Sequence, residues 1–105
     1  MARTSASTQP ITGVANYAHT IFTPTTGQTV TLVKNQYNII NPAGTLLALT
    51  VALPAANNND LVYIKFTQNI TTLTYSIGTV ADSITAPLLG SLIVLVYDTA
   101  TSIWY

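Results

Sequence analysis

Apolar and polar side chains alternate with a period of two through most of the chain after Gln28. Because successive side chains of an extended backbone point to opposite sides, this period predicts half-buried β-strands. The predicted strands are residues 29–33, 37–41, 46–53, 61–67, 70–76, 92–97 and 103–105. Turn-forming clusters separate them, notably at residues 41–44 and 57–60. This pattern predicts an all-β fold, a small antiparallel β-sandwich or jelly-roll-like domain.

Two details of that fold follow from the same pattern. Gln68 and Asn69 form a two-residue connection, which favours a hairpin between strands 61–67 and 70–76. The sequence shows no long internal repeat, so we do not expect a repeat architecture.

The last fifteen residues contain the longest apolar run and the only tryptophan. Every residue from Leu92 to Tyr97 is apolar or aromatic, which predicts a central strand covered on both faces. One set of side chains is predicted to face the core: Leu92, Val94 and Val96. The alternate set is predicted to face a second sheet or another subunit, and it is our candidate subunit interface: Ile93, Leu95 and Tyr97. Turn residues 98–102 then predict a hairpin with residues 103–105.

Residues 1–27 are small and polar with several Pro and Gly, which predicts an N-terminal arm before a β domain at residues 28–105. The arm holds one apolar island, residues 14–22. Three alternatives are open: it packs on its own domain as an edge strand or a helical turn, it binds a neighbouring protein and becomes ordered there, or it is a disordered tail. On the second interpretation the candidate partner-binding residues are Arg3, Tyr17, Ile21 and Phe22.

Composition changes the picture, because charged residues make up only 6% of the chain against about 25% in an ordinary soluble domain. Net charge is zero and 49% of residues are hydrophobic. A free monomer of this kind lacks the charge repulsion that keeps proteins apart, so we expect an assembly. Three scattered cations cannot form the basic surface of a nucleic-acid-binding protein. No apolar run approaches the length of a membrane span. For these two reasons we expect neither nucleic acid nor a membrane as a partner.

The residues that carry enzyme chemistry are few. The only histidine, His19, has no carboxylate near it in the sequence, and Asp60, Asp82 and Asp98 all lie in turn-like segments. Asn57–Asp60 is the best calcium-loop candidate, but it is weaker than the backbone-turn interpretation. No motif for phosphate, zinc or a dinucleotide occurs. We therefore expect no catalytic, cofactor or metal site.

Tyrosines and Trp104 leave sugar binding open, since aromatic rings stack on sugars. Several of these aromatics fall inside predicted strands, where large rings fill cores or subunit contacts. Core or interface packing is therefore the preferred interpretation. A host-surface glycan is the alternative partner.

Four segments resemble a β-rich module of tailed-bacteriophage virion proteins: Gly27-Gln-Thr-Val-Thr-Leu32, Ile39-Ile-Asn-Pro-Ala-Gly-Thr-Leu46, Leu49-Thr-Val-Ala-Leu-Pro-Ala55 and Leu95-Val-Tyr-Asp-Thr-Ala-Thr-Ser-Ile-Trp-Tyr105. The resemblance spans residues 27–105. The module occurs in tail-fibre tips and in capsid decoration or head-fibre proteins. It implies a trimer-forming β-sandwich on the outer surface of the virion, with the major capsid protein or another virion protein as partner. Tail fibres place the module after a long shaft, whereas a 26-residue arm precedes it here, which favours a capsid decoration (cement) protein.

The expected function is therefore non-enzymatic: a homotrimeric capsid decoration protein that stabilises the head shell. Two alternatives remain, a receptor-binding tip domain of a tail fibre and a free-standing sugar-binding module.

Overall fold

The computed structural model describes residues 18–105, which form nine β-strands. The strands are β1 His19–Phe22, β2 Thr29–Thr31, β3 Tyr37–Ile40, β4 Leu49–Ala52, β5 Leu61–Phe66, β6 Leu73–Ser76, β7 Thr79–Val80, β8 Leu92–Asp98 and β9 Ile103–Trp104. The all-β prediction is confirmed for these residues. They contain no helix long and apolar enough to cross a membrane.

The strands form a β-solenoid of about three turns, so the predicted antiparallel sandwich or jelly roll is wrong. Each coil contributes one strand to each of two sheets, and equivalent strands of successive coils pair in parallel. In the larger sheet β1 pairs with β3 and β3 with β5, and in the smaller sheet β2 pairs with β4 and β4 with β6. The larger sheet continues through β8, β9 and β7. The period-two pattern identified seven of the nine strands of the described residues, because alternation depends on one face being buried. It missed β7, and it left residues 19–22 undecided. It carries no information about strand direction, and direction separates a sandwich from a solenoid.

The predicted hairpin between β5 and β6 is also wrong. The chain leaves β5 at Phe66, turns a corner through Gln68 and Asn69, and enters the other sheet at Leu73. There β6 pairs in parallel with β4. A corner and a hairpin turn use the same polar residues, so local composition does not distinguish them.

The coils form a structural repeat that has no matching repeat of fixed length in the sequence. His19 aligns with Tyr37 and Tyr37 with Tyr63, so the successive steps are 18 and 26 residues. In the smaller sheet, Thr29 aligns with Thr50 and Leu49 with Leu73, giving steps of 21 and 24 residues. The corners differ in length from coil to coil, and a search for a fixed period therefore finds nothing.

Stacks of apolar side chains between the two sheets form the core. Phe22, Ile40 and Phe66 occupy matching positions in successive coils, and Ile40 and Phe66 are fully buried. Val51 is buried in the same way from the smaller sheet, where it aligns with Val30. Each coil thus covers the apolar face of the next, as in other solenoids.

The first coil begins inside the predicted arm. Residues 19–22 are β1, which pairs with β3 along its whole length, and Phe22 packs against the core. For this part of the chain, packing on the chain's own domain is the alternative that the structure supports. Residues 1–17 lie outside the described residues.

The C-terminal segment closes the stack. β8 pairs antiparallel with β5 and with β9, which confirms the predicted hairpin. Backbone groups of the preceding loop cover the open edge of the smaller sheet, because Pro87 and Thr85 accept hydrogen bonds from Ile70 and Leu73. An uncovered edge would template pairing with other chains, so this loop protects that end of the solenoid.

The predicted orientation of β8 is reversed. Ile93 and Leu95 are 5% and 4% exposed in the core, whereas Val94 is 50% exposed. Leu92 and Val96 lie on the exposed side with Val94. Because both faces of this strand are apolar, its own sequence gives no indication of which face is covered.

Asn38 is the buried polar residue of the described core. Its Oδ1 accepts from the Val33 backbone N–H at 2.7 Å, and its Nδ2 donates to the Val33 carbonyl at 2.9 Å. Nδ2 also lies 3.0 Å from the Tyr63 carbonyl and 3.3 Å from the Gln36 carbonyl. One side chain thus fixes the corner between β2 and β3 and links it to the next coil.

We expect Asn38→Ala to reduce the free energy of unfolding by about 2 to 4 kcal/mol, because it leaves buried backbone groups without partners. Asn58→Ala is the matched control. The exposed Asn58 side chain accepts only from Thr99, so its loss should be below about 1 kcal/mol. Urea denaturation of both variants measures the difference, and equal losses would contradict this role for Asn38.

Candidate functional site

One face of the larger sheet is apolar and lies on the outside of the molecule. We call it the outer face, and it consists of the outward side chains of β1, β3, β5 and β8. These residues are His19, Ile21, Tyr37, Ile39, Leu61, Tyr63, Lys65, Leu92, Val94 and Val96. Strand pairing brings them side by side: Tyr63 aligns with Val94, Leu61 with Val96 and Lys65 with Leu92.

Both sides of this face are open to solvent, and the outward residues of β3 and of most of β5 in its middle are half-buried. Ile21 is 54% exposed, Leu92 46%, Val94 50% and Val96 36%. Between them, on β3 and β5, the rings of Tyr37 and Tyr63 meet edge to face with centroids 4.8 Å apart. Monomeric proteins rarely expose a continuous apolar surface of this kind, and where one occurs it usually marks an interaction site.

Charge is nearly absent from the outer face. Lys65, at the end of β5, is the one permanently charged residue among its ten members, and its Nζ donates to the Gly90 carbonyl at 2.9 Å. One carboxylate borders the face: Asp98, two residues beyond Val96 at the end of β8, accepts hydrogen bonds from Thr101. Its chemistry is therefore that of apolar contact, with two aromatic rings near the centre.

The sequence-predicted interface residues lie elsewhere. Ile93 and Leu95 fill the chain's own core and have almost no surface to offer another subunit, and Tyr97 packs against that core. Of the predicted partner-binding residues, Ile21 is exposed on the outer face while Phe22 packs inward. Arg3 and Tyr17 lie outside the described residues.

Sequence reasoning missed Leu92, Val94 and Val96 as surface residues. The neighbouring strand contains the signal that would have found them. In β5, Lys65 marks the solvent side, and the alternate residues Val62, Ile64 and Phe66 are more strongly apolar. Applying that signal to β8 requires the pairing register, which the sequence alone does not provide.

Comparisons of the chain with protein-family models, curated proteins and solved structures found no match.

The ionisable residues of the described chain lie mainly in turns. Asp98 accepts hydrogen bonds from the backbone and hydroxyl of Thr101. Both oxygens of Asp60 are occupied: Oδ2 accepts from the Asn57 backbone and lies 3.1 Å from the Lys34 ammonium, and Oδ1 accepts from Asn35 Nδ2. Within residues 18–105, no group of three or more His, Cys, Asp and Glu is placed to hold a metal ion.

The Asp60 contacts join two corners of the solenoid. Hydrogen bonds from the Asn57 backbone and the Asn35 amide, together with Lys34, lower the pKa of Asp60 from 3.8 to about 2. Asn35 also accepts from the Leu61 backbone, so the cluster ties the turn after β2 to the start of β5. This segment is the calcium-loop candidate of the sequence, and its carboxylate serves turn geometry.

Because the pKa of Asp60 is lower in the folded chain than in the unfolded one, its contribution to stability is present above about pH 4. It is lost as the pH falls toward 2. We expect the melting temperature to fall across that window, and Asp60→Asn to flatten the dependence. Thermal melts between pH 5 and 2 measure this, with Asp98→Asn as the control. An unchanged slope in Asp60→Asn would contradict the assignment.

Two other surface features lie away from the outer face. A groove of about 450 Å³ lies beside β6 and β7 and is lined mostly by uncharged polar residues. Its lining is Thr72, Leu73, Thr74, Tyr75, Gly78, Thr79, Val80, Ser83 and Thr85. A second set of exposed apolar residues lies outside the outer face, at Leu47, Leu88 and Leu89, which are 70%, 66% and 62% exposed.

Proposed function

We propose that this protein is a non-enzymatic structural protein on the outer surface of a tailed-phage virion. In this role it is a capsid decoration protein that stabilises the head shell as a homotrimer. The observation that carries the proposal is the outer face, a flat, almost uncharged apolar surface on a chain with 6% charged residues. Such a surface is suited to adhesion between proteins.

The energetics fit a cement function. Full burial of a Val, Leu or Ile side chain contributes about 1.5 to 3 kcal/mol, and the four most exposed residues of the outer face are near half exposed. Covering all four would therefore contribute roughly 3 to 6 kcal/mol per chain before the costs of association. In an oligomer, several weak shell contacts act together, so occupancy on a shell can be high without any strong single contact.

The placement on a phage particle rests on the resemblance of residues 27–105 to virion modules. In this proposal the outer face forms the contact between subunits of the homotrimer. Another surface must therefore contact the shell, and the exposed leucines Leu47, Leu88 and Leu89 are candidates for it. Arg3 and Tyr17 stay predictions as partner-binding residues. The receptor-binding tip of a tail fibre is the alternative location.

Image reconstruction of the parent particle tests this function. We expect threefold densities of this chain on the outside of the head, and purified protein should bind shells that lack it. Binding should survive molar salt, because a chain with so few charges has few ion pairs to screen. Density at a fibre tip, or binding abolished by salt, would contradict the decoration function.

The groove beside β6 and β7 favours a second candidate function, binding of a neutral sugar. Its volume falls within the range of small-ligand sites, and five Thr or Ser hydroxyls supply both donors and acceptors without charge. Titration with neutral monosaccharides, followed by backbone amide NMR shifts, would test it. Shifts confined to residues 72–85 and reduced in Thr74→Val would support sugar binding at the groove. The absence of such shifts would contradict this candidate function.

A further inference from the structure

We infer that the outer face is covered by a second copy of this chain, and that Ile21 on one side of the face and Leu92, Val94 and Val96 on the other are buried in the subunit contact. This inference rests on the proposed function, whose homotrimer it gives a defined interface. It replaces Ile93, Leu95 and Tyr97 as interface residues.

The size of the face fits a subunit contact. The four neighbouring strands β1, β3, β5 and β8 lie about 4.8 Å apart and rise about 3.3 Å per residue, and over their lengths they span roughly 300 Å². A standard interface buries about 800 Å² on each partner, as an apolar centre within a polar rim. The outer face has the extent of such a centre, and loop residues around it can supply the rim.

The low charge of the outer face favours a second copy of this chain as the partner that covers it. An acidic or basic partner would find few complementary charges on the outer face, since Lys65 donates to Gly90 and Asp98, at the end of β8, accepts from Thr101. A second copy presents an equally apolar surface, and these two charged groups lie near strand ends, where they can stay in a solvated rim. The aromatic pair Tyr37 and Tyr63 adds large rings of the type enriched at interface centres.

Residues 92–96 of β8 fit this contact through their alternation. Ile93 and Leu95 anchor the strand to its own core while Leu92, Val94 and Val96 point the other way. A strand that is apolar on both faces is expected where both faces are covered. In this chain the second cover has to come from outside residues 18–105.

Sedimentation analysis of the purified full chain tests the inference. The parent protein should sediment as an oligomer, a trimer at three times the 11.2 kDa chain mass. Val94→Lys and Ile21→Lys, on opposite sides of the face, should each raise the dissociation constant about 30-fold or more. Leu88→Lys is the matched control, because Leu88 is more exposed than Val94 but lies off the outer face. Its oligomer should be unchanged.

Each outcome is decisive. A parent protein that stays monomeric at high concentration overturns the inference, as does an oligomer that both Lys variants leave intact. A dimer weakened by the same variants supports the contact and contradicts the trimer. Circular dichroism melts establish that each variant is folded, and Ile21→Lys keeps the test valid if Val94→Lys fails to fold. If the oligomer forms through this face but does not bind phage shells, the inference stands and the proposed function fails.

Discussion

Replacing Ile93 by Asp should leave the chain unfolded. Ile93 is 5% exposed, and it aligns across the strand pair with the fully buried Ile64. A carboxylate there would have no partner, and its burial would cost several kcal/mol in addition to the lost apolar contacts. Since a domain of this size has a total stability of about 5 to 15 kcal/mol, we expect the cooperative thermal transition to disappear.

Val94→Asp is the control for this prediction, on the adjacent residue of the same strand. Val94 is half exposed, so its variant should keep a cooperative melt and its β-rich circular dichroism spectrum. If Val94→Asp unfolds while Ile93→Asp melts normally, the orientation of β8 is the opposite of the one described.

The second large effect is expected for Trp104→Ala, with a loss of about 3 to 5 kcal/mol in the free energy of unfolding. Trp104 is 1% exposed, and its ring centroid lies 5.1 Å from that of Tyr97. The indole also lies in the tight space beside Gly78, where a Cβ would be 2.9 Å from Leu53 and 3.6 Å from Trp104. The residue therefore joins the closing hairpin to the second coil.

Tyr105→Ala provides the comparison for Trp104→Ala. Tyr105 is the next residue, it is 49% exposed, and its hydroxyl bonds only to Thr101 within the turn. Its truncation should cost less than about 1 kcal/mol. Denaturant titration of both variants gives the two losses, and comparable values would contradict the interior position of Trp104.

The sequence was sufficient to predict where most of the strands lie, though not the two-residue strand β7, and insufficient to predict how the strands pair. Val62, Ile64 and Phe66 alternate with less apolar residues, and all three are fully buried. The turn chemistry of residues 98–102 likewise predicts the hairpin that β8 and β9 form. Parallel pairing of β6 with β4 depends instead on a corner at Gln68 and Asn69, and a corner and a hairpin turn have the same local composition.

The sequence was sufficient to predict an apolar candidate site, but not which residues form it. Low charge and an apolar strand predict a contact surface, and the structure contains an exposed apolar face that could form one. Its residues were misassigned because Leu92–Tyr97 is apolar on both faces, so a shift of one residue exchanges core and surface. The register with β5 resolves the choice, since Lys65 lies opposite Leu92 and Ile64 lies opposite Ile93.

Thiol labelling of the assembled protein tests the central claim, that copies of this chain cover the outer face. The chain has no cysteine, so single variants Ile21→Cys, Val94→Cys, Leu47→Cys and Leu88→Cys each report one position. All four positions are at least half exposed in the single chain. We predict that the thiols of Ile21→Cys and Val94→Cys react slowly in the oligomer and faster when the protein is diluted. The thiols of Leu47→Cys and Leu88→Cys should react fast at every protein concentration. Equal rates at all four positions in the oligomer would contradict the claim.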